Sequence, residues 1–185
     1  MISLYAGRNS EDLVSEARKR ASSSPYHGCA TAVFTALVDV LGLNDGDEAF
    51  KAMIGLAGGT GHLTKGTCGA LAGAAAAISL SYNKSREEIL RMIEDPKELH
   101  PADQHMPKFF QEMFDKIAKV AKKMYEKYGG INCDEIQFNM FGKTLNLLLP
   151  EKHREFSESL QYHSANCYTL EADVAGWAVE AILEG

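Results

Sequence analysis

No two of the four cysteines in this 185-residue chain lie close together. They stand singly at 29, 68, 133 and 167. There is thus no CxxC motif, no zinc knuckle with ligands in close pairs, and no CxxCH for covalent c-type haem. The chain also lacks an apolar run able to cross a bilayer. The run Ala74 to Ala77, continuing into Ile78, Ser79 and Leu80, is too short and too weakly apolar. The segment from Met1 to Arg20 soon turns charged and has no signal-peptide core, so the expected compartment is the cytoplasm. Lone cysteines there serve as reduced thiols, metal ligands or redox centres rather than structural disulfides. Positive charge is in deficit: 19 Lys and Arg against 25 Asp and Glu, a net −6. That balance argues against nucleic acid or an anionic membrane as the main partner. Alternating segments joined by hairpin turns are absent as well, which removes an all-β fold.

What is present is helical periodicity, broken by glycine and proline. Leu13, Val14 and Ala17 recur at helical spacing, with Ser10 as the expected N-cap and a break at Ser22 to Pro25. Gly28 opens a second helix through Leu41 that is apolar on most sides and therefore central. Asp47 to Leu56 reads as a short amphipathic helix, and Ser85 with Glu88 as a capping box for a helix ending at Glu94. Residues 95–107 contain three prolines and two histidines, His100 and His105, and read as an exposed connection or lid. The longest helix runs from Lys108 to Tyr128, with Lys116, Lys119, Lys122, Lys123 and Lys127 expected on a solvated outer face. Further helices begin near Asn132, Pro150 and Asn166. The expected fold is all-α: one bundle of eight or nine helices over 1–185, with 1–25 as N-terminal helix and linker and 26–185 as the four-cysteine domain.

The chain is organised around Gly58-Gly59-Thr60-Gly61-His62 and the segment Thr67-Cys68-Gly69-Ala70-Leu71-Ala72-Gly73. The glycines permit positive φ and close backbone approach. Gly58, Gly59, Gly61 and Gly69 are accordingly the candidate cofactor-contacting positions. Thr67 as N-cap would put Cys68 at the first helical position, where free N–H groups and the helix dipole favour thiolate. Gly61 to Thr67 has the first spacing of a phosphate loop, but no lysine follows the second glycine and no βαβ unit surrounds it. The other cysteines share the setting of Cys68: Cys29 follows Gly28, Cys133 follows Asn132, and Cys167 follows Asn166. Each lies at or beside an expected helix start. If these starts converge, four sulfurs surround one point, which suits a metal or iron–sulfur centre or a pair of redox dithiols; otherwise they are inert core thiols. His27, His62 and His163 stand near cysteines, yet a hydrogen-bonded loop histidine is the ordinary reading. Asp134 and Glu135 are explained as helix-start acids. Met53, Met92, Met106, Met113, Met124 and Met140 read as core or lid residues. Phe138, Phe141, Tyr168 and Trp177 could shield a cluster, with ordinary packing as the default.

Cys68-Gly69-Ala70-Leu71-Ala72-Gly73 resembles the CGAxxG motif of the four-cysteine C_GCAxxG_C_C family, whose members are described as redox-active. Gly28-Cys29-Ala30 is similar to its first cysteine block and Gly58 to Gly61 to its glycine loop, with Cys133 and Cys167 in place of the last two cysteines. The insert between Ser81 and Lys108 is long relative to compact members. Similar domains occur in split-Soret cytochromes, where they are associated with an iron–sulfur centre. The resemblance implies that Cys29, Cys68, Cys133 and Cys167 ligate such a cluster, most simply [2Fe–2S], and exchange electrons with a separate protein or small donor or acceptor. The site could also be completed across a homodimer. Two other functions fit the same residues: a thiol–disulfide oxidoreductase or redox sensor in which Cys68 attacks and a neighbour resolves, and a zinc-stabilised helical binding module.

Overall fold

The computed structural model describes residues 8–44, 47–162 and 166–184. His163 therefore lies outside the described residues. The described residues form nine helices and one small hairpin: α1 (Ser10–Ser22), α2 (Cys29–Leu41), α3 (Glu48–Ile54), α4 (Gly69–Ser81), α5 (Arg86–Glu94), β1 (Leu99–His100), β2 (Asp103–Pro107), α6 (Lys108–Tyr128), α7 (Cys133–Phe141), α8 (Pro150–Tyr162) and α9 (Cys167–Leu183). The all-α expectation holds.

Capping residues set most of these boundaries. The α5 capping box of Ser85 and Glu88 is formed, as is one between Asn132 and Glu135 at α7. The Asn166 side chain accepts from the N–H groups of Tyr168 and Thr169 at the start of α9. Each cap satisfies donors that have no partner within the helix. At α1 the cap is Asn9, whose carboxamide accepts from Glu11 N–H, rather than Ser10.

The core is built on α2, where Ala30, Val33, Phe34 and Leu37 have essentially no exposed surface. It packs against α1, α4 and α9. Full burial of Phe34 contributes about 2–3 kcal/mol. The approach of α2 to α4 is close because α4 is made of small residues. A Cβ added at Gly73 would run into the Ala30 carbonyl of α2.

Two regions depart from the sequence expectations. The proline-broken connection is not wholly irregular: β1 and β2 pair antiparallel, pairing Leu99 with Pro107 and His100 with Asp103. His100 is half-buried, its Nδ1 accepting from Ala102 N–H at 3.1 Å. The second departure is the lysine stripe of α6. Lys116 is buried and donates to the carbonyls of Ile182 and Glu184, at 3.3 and 2.7 Å. It thereby serves the open carbonyls at the end of α9. Lys119 reaches Glu184, Lys123 reaches Glu180, and Lys127 reaches Asp173. Much of the stripe thus fastens α6 to α9. A periodic row of lysines does not reveal that a neighbouring helix presents acids and carbonyls to it.

Candidate functional site

The glycine loop reverses the handedness of its backbone. Gly58, Gly59, Thr60, Gly61 and His62 all have φ between +58° and +73°, and Thr64 has φ +70°. For residues with a Cβ this costs about 1–2 kcal/mol each. The turn is closed by bonds from Gly61 N–H to the Gly55 carbonyl, His62 N–H to Ala57, and Thr64 N–H to Gly58. The buried Thr64 hydroxyl also donates to the Leu145 carbonyl at 3.2 Å. At Gly59 there is no room for a side chain: a Cβ would sit 3.0 Å from Cys133 Cβ.

After this turn the chain pairs with the start of α7. Thr67 and Asn132 form an isolated antiparallel bridge. Cys68 N–H donates to the Ile131 carbonyl at 2.8 Å, and Cys133 N–H to the Gly66 carbonyl at 2.9 Å. The pairing corrects one expectation. Thr67 is held extended by the bridge, so the N-cap moves on to Cys68 itself and α4 begins at Gly69. The other three cysteines do occupy the first helical position, in α2, α7 and α9.

All four thiols are free. They lie near enough for their charges to act on one another: Cys29 raises the cost of charging Cys133 and Cys167, and both of those bear on Cys68. Their chemistry differs sharply. Cys29 Sγ is influenced by the Cys68 thiol and by the backbone N–H groups of Gly58, Gly69 and its own residue. The Cys68 donor is the largest influence, and together these bonds overcome burial and lower the Cys29 pKa from 9.0 to about 6. Cys68, as donor to Cys29 and as a buried group, is pushed well above its ordinary value. Burial raises Cys133 to about 11, only partly offset by an N–H bond from Gln137 Nε2 at 3.4 Å. Burial likewise drives Cys167 well up. Four acidified sulfurs were the expectation; only Cys29 is lowered, and the other three are raised. Cys68, the attacking sulfur expected in the thiol reading, is pushed up while Cys29 beside it is lowered. A helix N-terminus favours negative charge by less than desolvation opposes it when the sulfur is buried.

Gly69 makes the pair possible, since a Cβ there would collide with Cys29 Sγ. Gly58 and Gly69 both supply N–H groups to that sulfur. At Gly61 an added Cβ would meet nothing within 4 Å. The donor type suits an iron–sulfur cluster, which four cysteine sulfurs commonly hold. As arranged, though, Cys29 and Cys68 act most strongly on each other, with Cys133 and Cys167 acting on them more weakly. Among the described residues no group of three or more His, Cys, Asp or Glu side chains is placed to hold a metal ion.

His27 is exposed, and His62 packs on His153 of α8 with ring centroids 5.4 Å apart. Asp134 bonds Lys65 at 3.2 Å, and Glu135 completes the α7 cap, as their helix-start positions imply. Phe138 and Tyr168 are 60% and 50% exposed. Phe141 meets Phe156, while Trp177 packs near Tyr128. Sequence reasoning missed one residue of the site. Glu171, one turn beyond Cys167, is only 6% exposed, and its charge and that of Cys29 act on each other. The signal was its place within the apolar face of α9, between Leu170 and Val174.

Among the described residues no helix is long and apolar enough to cross a membrane. No curated protein and no solved structure matches the chain. One family model does, and it spans all four of these cysteines. Because it covers residues 27–181, the chain belongs to the C_GCAxxG_C_C family, described as "Putative redox-active protein (C_GCAxxG_C_C)".

Proposed function

We propose that the protein is a thiol-based redox carrier whose working centre is the Cys29–Cys68 pair. The observation that carries this reading is the opposite response of the two neighbouring sulfurs: the Cys68 thiol and backbone N–H groups lower the Cys29 pKa to about 6, while Cys68 is pushed well above its ordinary value. Thiol–disulfide exchange requires that division of roles: one sulfur attacks and a neighbour resolves. Cys29 thiolate attacks one sulfur of a substrate disulfide, and the other leaves as a thiolate and is protonated. Cys68 then attacks Cys29 Sγ, and its proton goes to the second thiol released. The pair is oxidised by two electrons and the substrate disulfide is reduced by two. Cys29 is half-buried and Cys68 buried, which fits a small disulfide or an extended segment of a partner protein better than a flat surface.

The test is to mix fully reduced protein with a small disulfide and map the product by mass spectrometry. A Cys29–Cys68 linkage, lost in Cys29→Ser, is the expected product. Failure of the wild-type protein to form it would overturn the assignment.

An iron–sulfur centre is the second reading. It rests on the four-cysteine donor set and on the mutual electrostatic influence of all four sulfurs. Protein purified without oxygen should then contain iron and acid-labile sulfide, and Cys68→Ser should lose both. Stoichiometric zinc in their place would support a zinc-stabilised helical module.

A further inference from the structure

We propose that α5 is the surface through which two copies of this chain associate, helix against helix and antiparallel. α5 has nine residues, and none of them is buried. Its principal neighbour is β2 of the small hairpin rather than any helix of the bundle. Leu90 is 62% exposed and Ile93 38%, with Ile89 and Met92 half-buried beside them. A helix this short is marginal in water unless its apolar face is covered. The capping box of Ser85 and Glu88 fixes where α5 starts, but the edge formed by Leu90 and Ile93 stays open to solvent.

The charges of α5 select the partner. Arg91 is tied to Glu87 at 2.9 Å, and Lys84 lies 3.9 Å from Glu88. Arg86 and Glu94 are both exposed, and among the described residues neither has an ion pair. They stand one turn before and one turn after Leu90, on its side of the helix. A second copy, turned about a twofold axis at Leu90, brings each Arg86 level with the Glu94 of the other copy. A leucine contact at the centre is then flanked by two identical cross-pairs, the self-complementarity that an isologous interface requires. A partner surface of one sign would match only one end of α5. An anionic membrane suits it less, since the helix carries three glutamates against two arginines, whereas interfacial helices have basic polar faces.

A helix of this length spans roughly 14 Å. The contact is therefore small, of the class that gives a weak and concentration-dependent complex. No cysteine lies on α5, so the association is separate from the thiol centre. No side chain of α5 belongs to the core either, so substitutions on it leave the bundle intact.

Sedimentation equilibrium of the full chain tests this, in reducing buffer so that no disulfide links two copies, from about 5 μM to about 1 mM protein. The wild type should show a reversible monomer–dimer equilibrium. Arg86→Glu and Glu94→Arg each put like charges at both cross-pairs, and each should weaken the dimer about tenfold. Leu90→Gln, which removes the central contact, should weaken it as well. An equimolar mixture of Arg86→Glu with Glu94→Arg restores opposite charges at both cross-pairs and should recover the wild-type affinity as a heterodimer. Two variants that had merely lost the shape of α5 would not rescue each other. A wild type that stays monomeric over the whole range would overturn the proposal, as would a dimer indifferent to the single substitutions or a mixture that fails to recover.

Discussion

At the scale of single residues, four cysteines in similar local settings behave differently because what surrounds each sulfur matters more than which helix turn it opens. Cys29 alone is acidified, by the Cys68 thiol and backbone N–H groups; Cys68 is raised first by Cys29 and then by burial, and Cys133 and Cys167 are governed by burial. Alkylation followed against pH should therefore give Cys29 a half-maximal rate near pH 6, whereas Cys133 reacts comparably only near pH 11. Removing the donor in Cys68→Ala should move the Cys29 midpoint upward, toward its ordinary 9.0. An unmoved midpoint would assign the effect to the backbone N–H groups. Glu171 gives a second test, read in stability. Its folded pKa lies above the ordinary 4.5, so its contribution is fully present below that pH and is lost as pH rises through the folded value. Glutamine does not titrate. The urea midpoint of Glu171→Gln should accordingly gain on the wild type as pH rises above about 4.5, and a gap constant with pH would show that the carboxyl is not held neutral. None of this was legible in the sequence. Spacing locates a cysteine at a helix start, but desolvation and third-party donors depend on what the fold packs around it.

At the scale of elements, legibility was high where the signal is local. The caps at Ser85, Asn132 and Asn166 name their helix starts, because a short polar side chain satisfying free N–H groups is a property of three or four consecutive residues. The Thr67 expectation failed for the complementary reason: its partner, Asn132, is 65 residues away in the chain. The small residues of α4 were correctly read as allowing close approach, though what approaches is α2. Gly73→Ala should force these helices apart and cost about 1–3 kcal/mol in chemical denaturation. Because Gly73 lies one turn beyond Gly69, the same substitution should loosen the Cys29–Cys68 contact and raise the Cys29 alkylation midpoint. Loss of stability with the midpoint unchanged would show that the pair does not depend on the packing of α2 on α4.

At the scale of the whole molecule, α9 joins the cysteine site to the rest of the bundle. Its first residue is Cys167, its buried carboxyl is Glu171, and its Asp173 gathers Arg18 of α1 with Lys127 and Tyr128 of α6. Burial alone would raise the Asp173 pKa, but the bonds from Lys127, Tyr128 and Arg18 outweigh it and hold the carboxyl below 3.8. Its contribution is present above that value and is lost as pH falls through the folded pKa. Asp173→Asn should cost roughly 2 kcal/mol at neutral pH, with the difference from wild type closing in acid. A thermal-melting series across pH checks both points. The lysines of α6 are plain in the sequence, but their binding to α9 is not, since only tertiary packing sets a second helix opposite them.

The reversed backbone of residues 58–62 has a stereochemical consequence. An L-amino acid at φ near +60° is in the conformation natural to its mirror image, so this stretch is one where the chain would accept D-residues. Gly61, at φ +58°, is the place to try. A semisynthetic protein carrying D-alanine there should be more stable than the glycine form by roughly half a kcal/mol, because the unfolded chain loses freedom while the folded loop is undisturbed. L-alanine at the same position should be less stable than glycine. If the two enantiomers proved equally tolerated, the handedness assigned to the loop would be wrong.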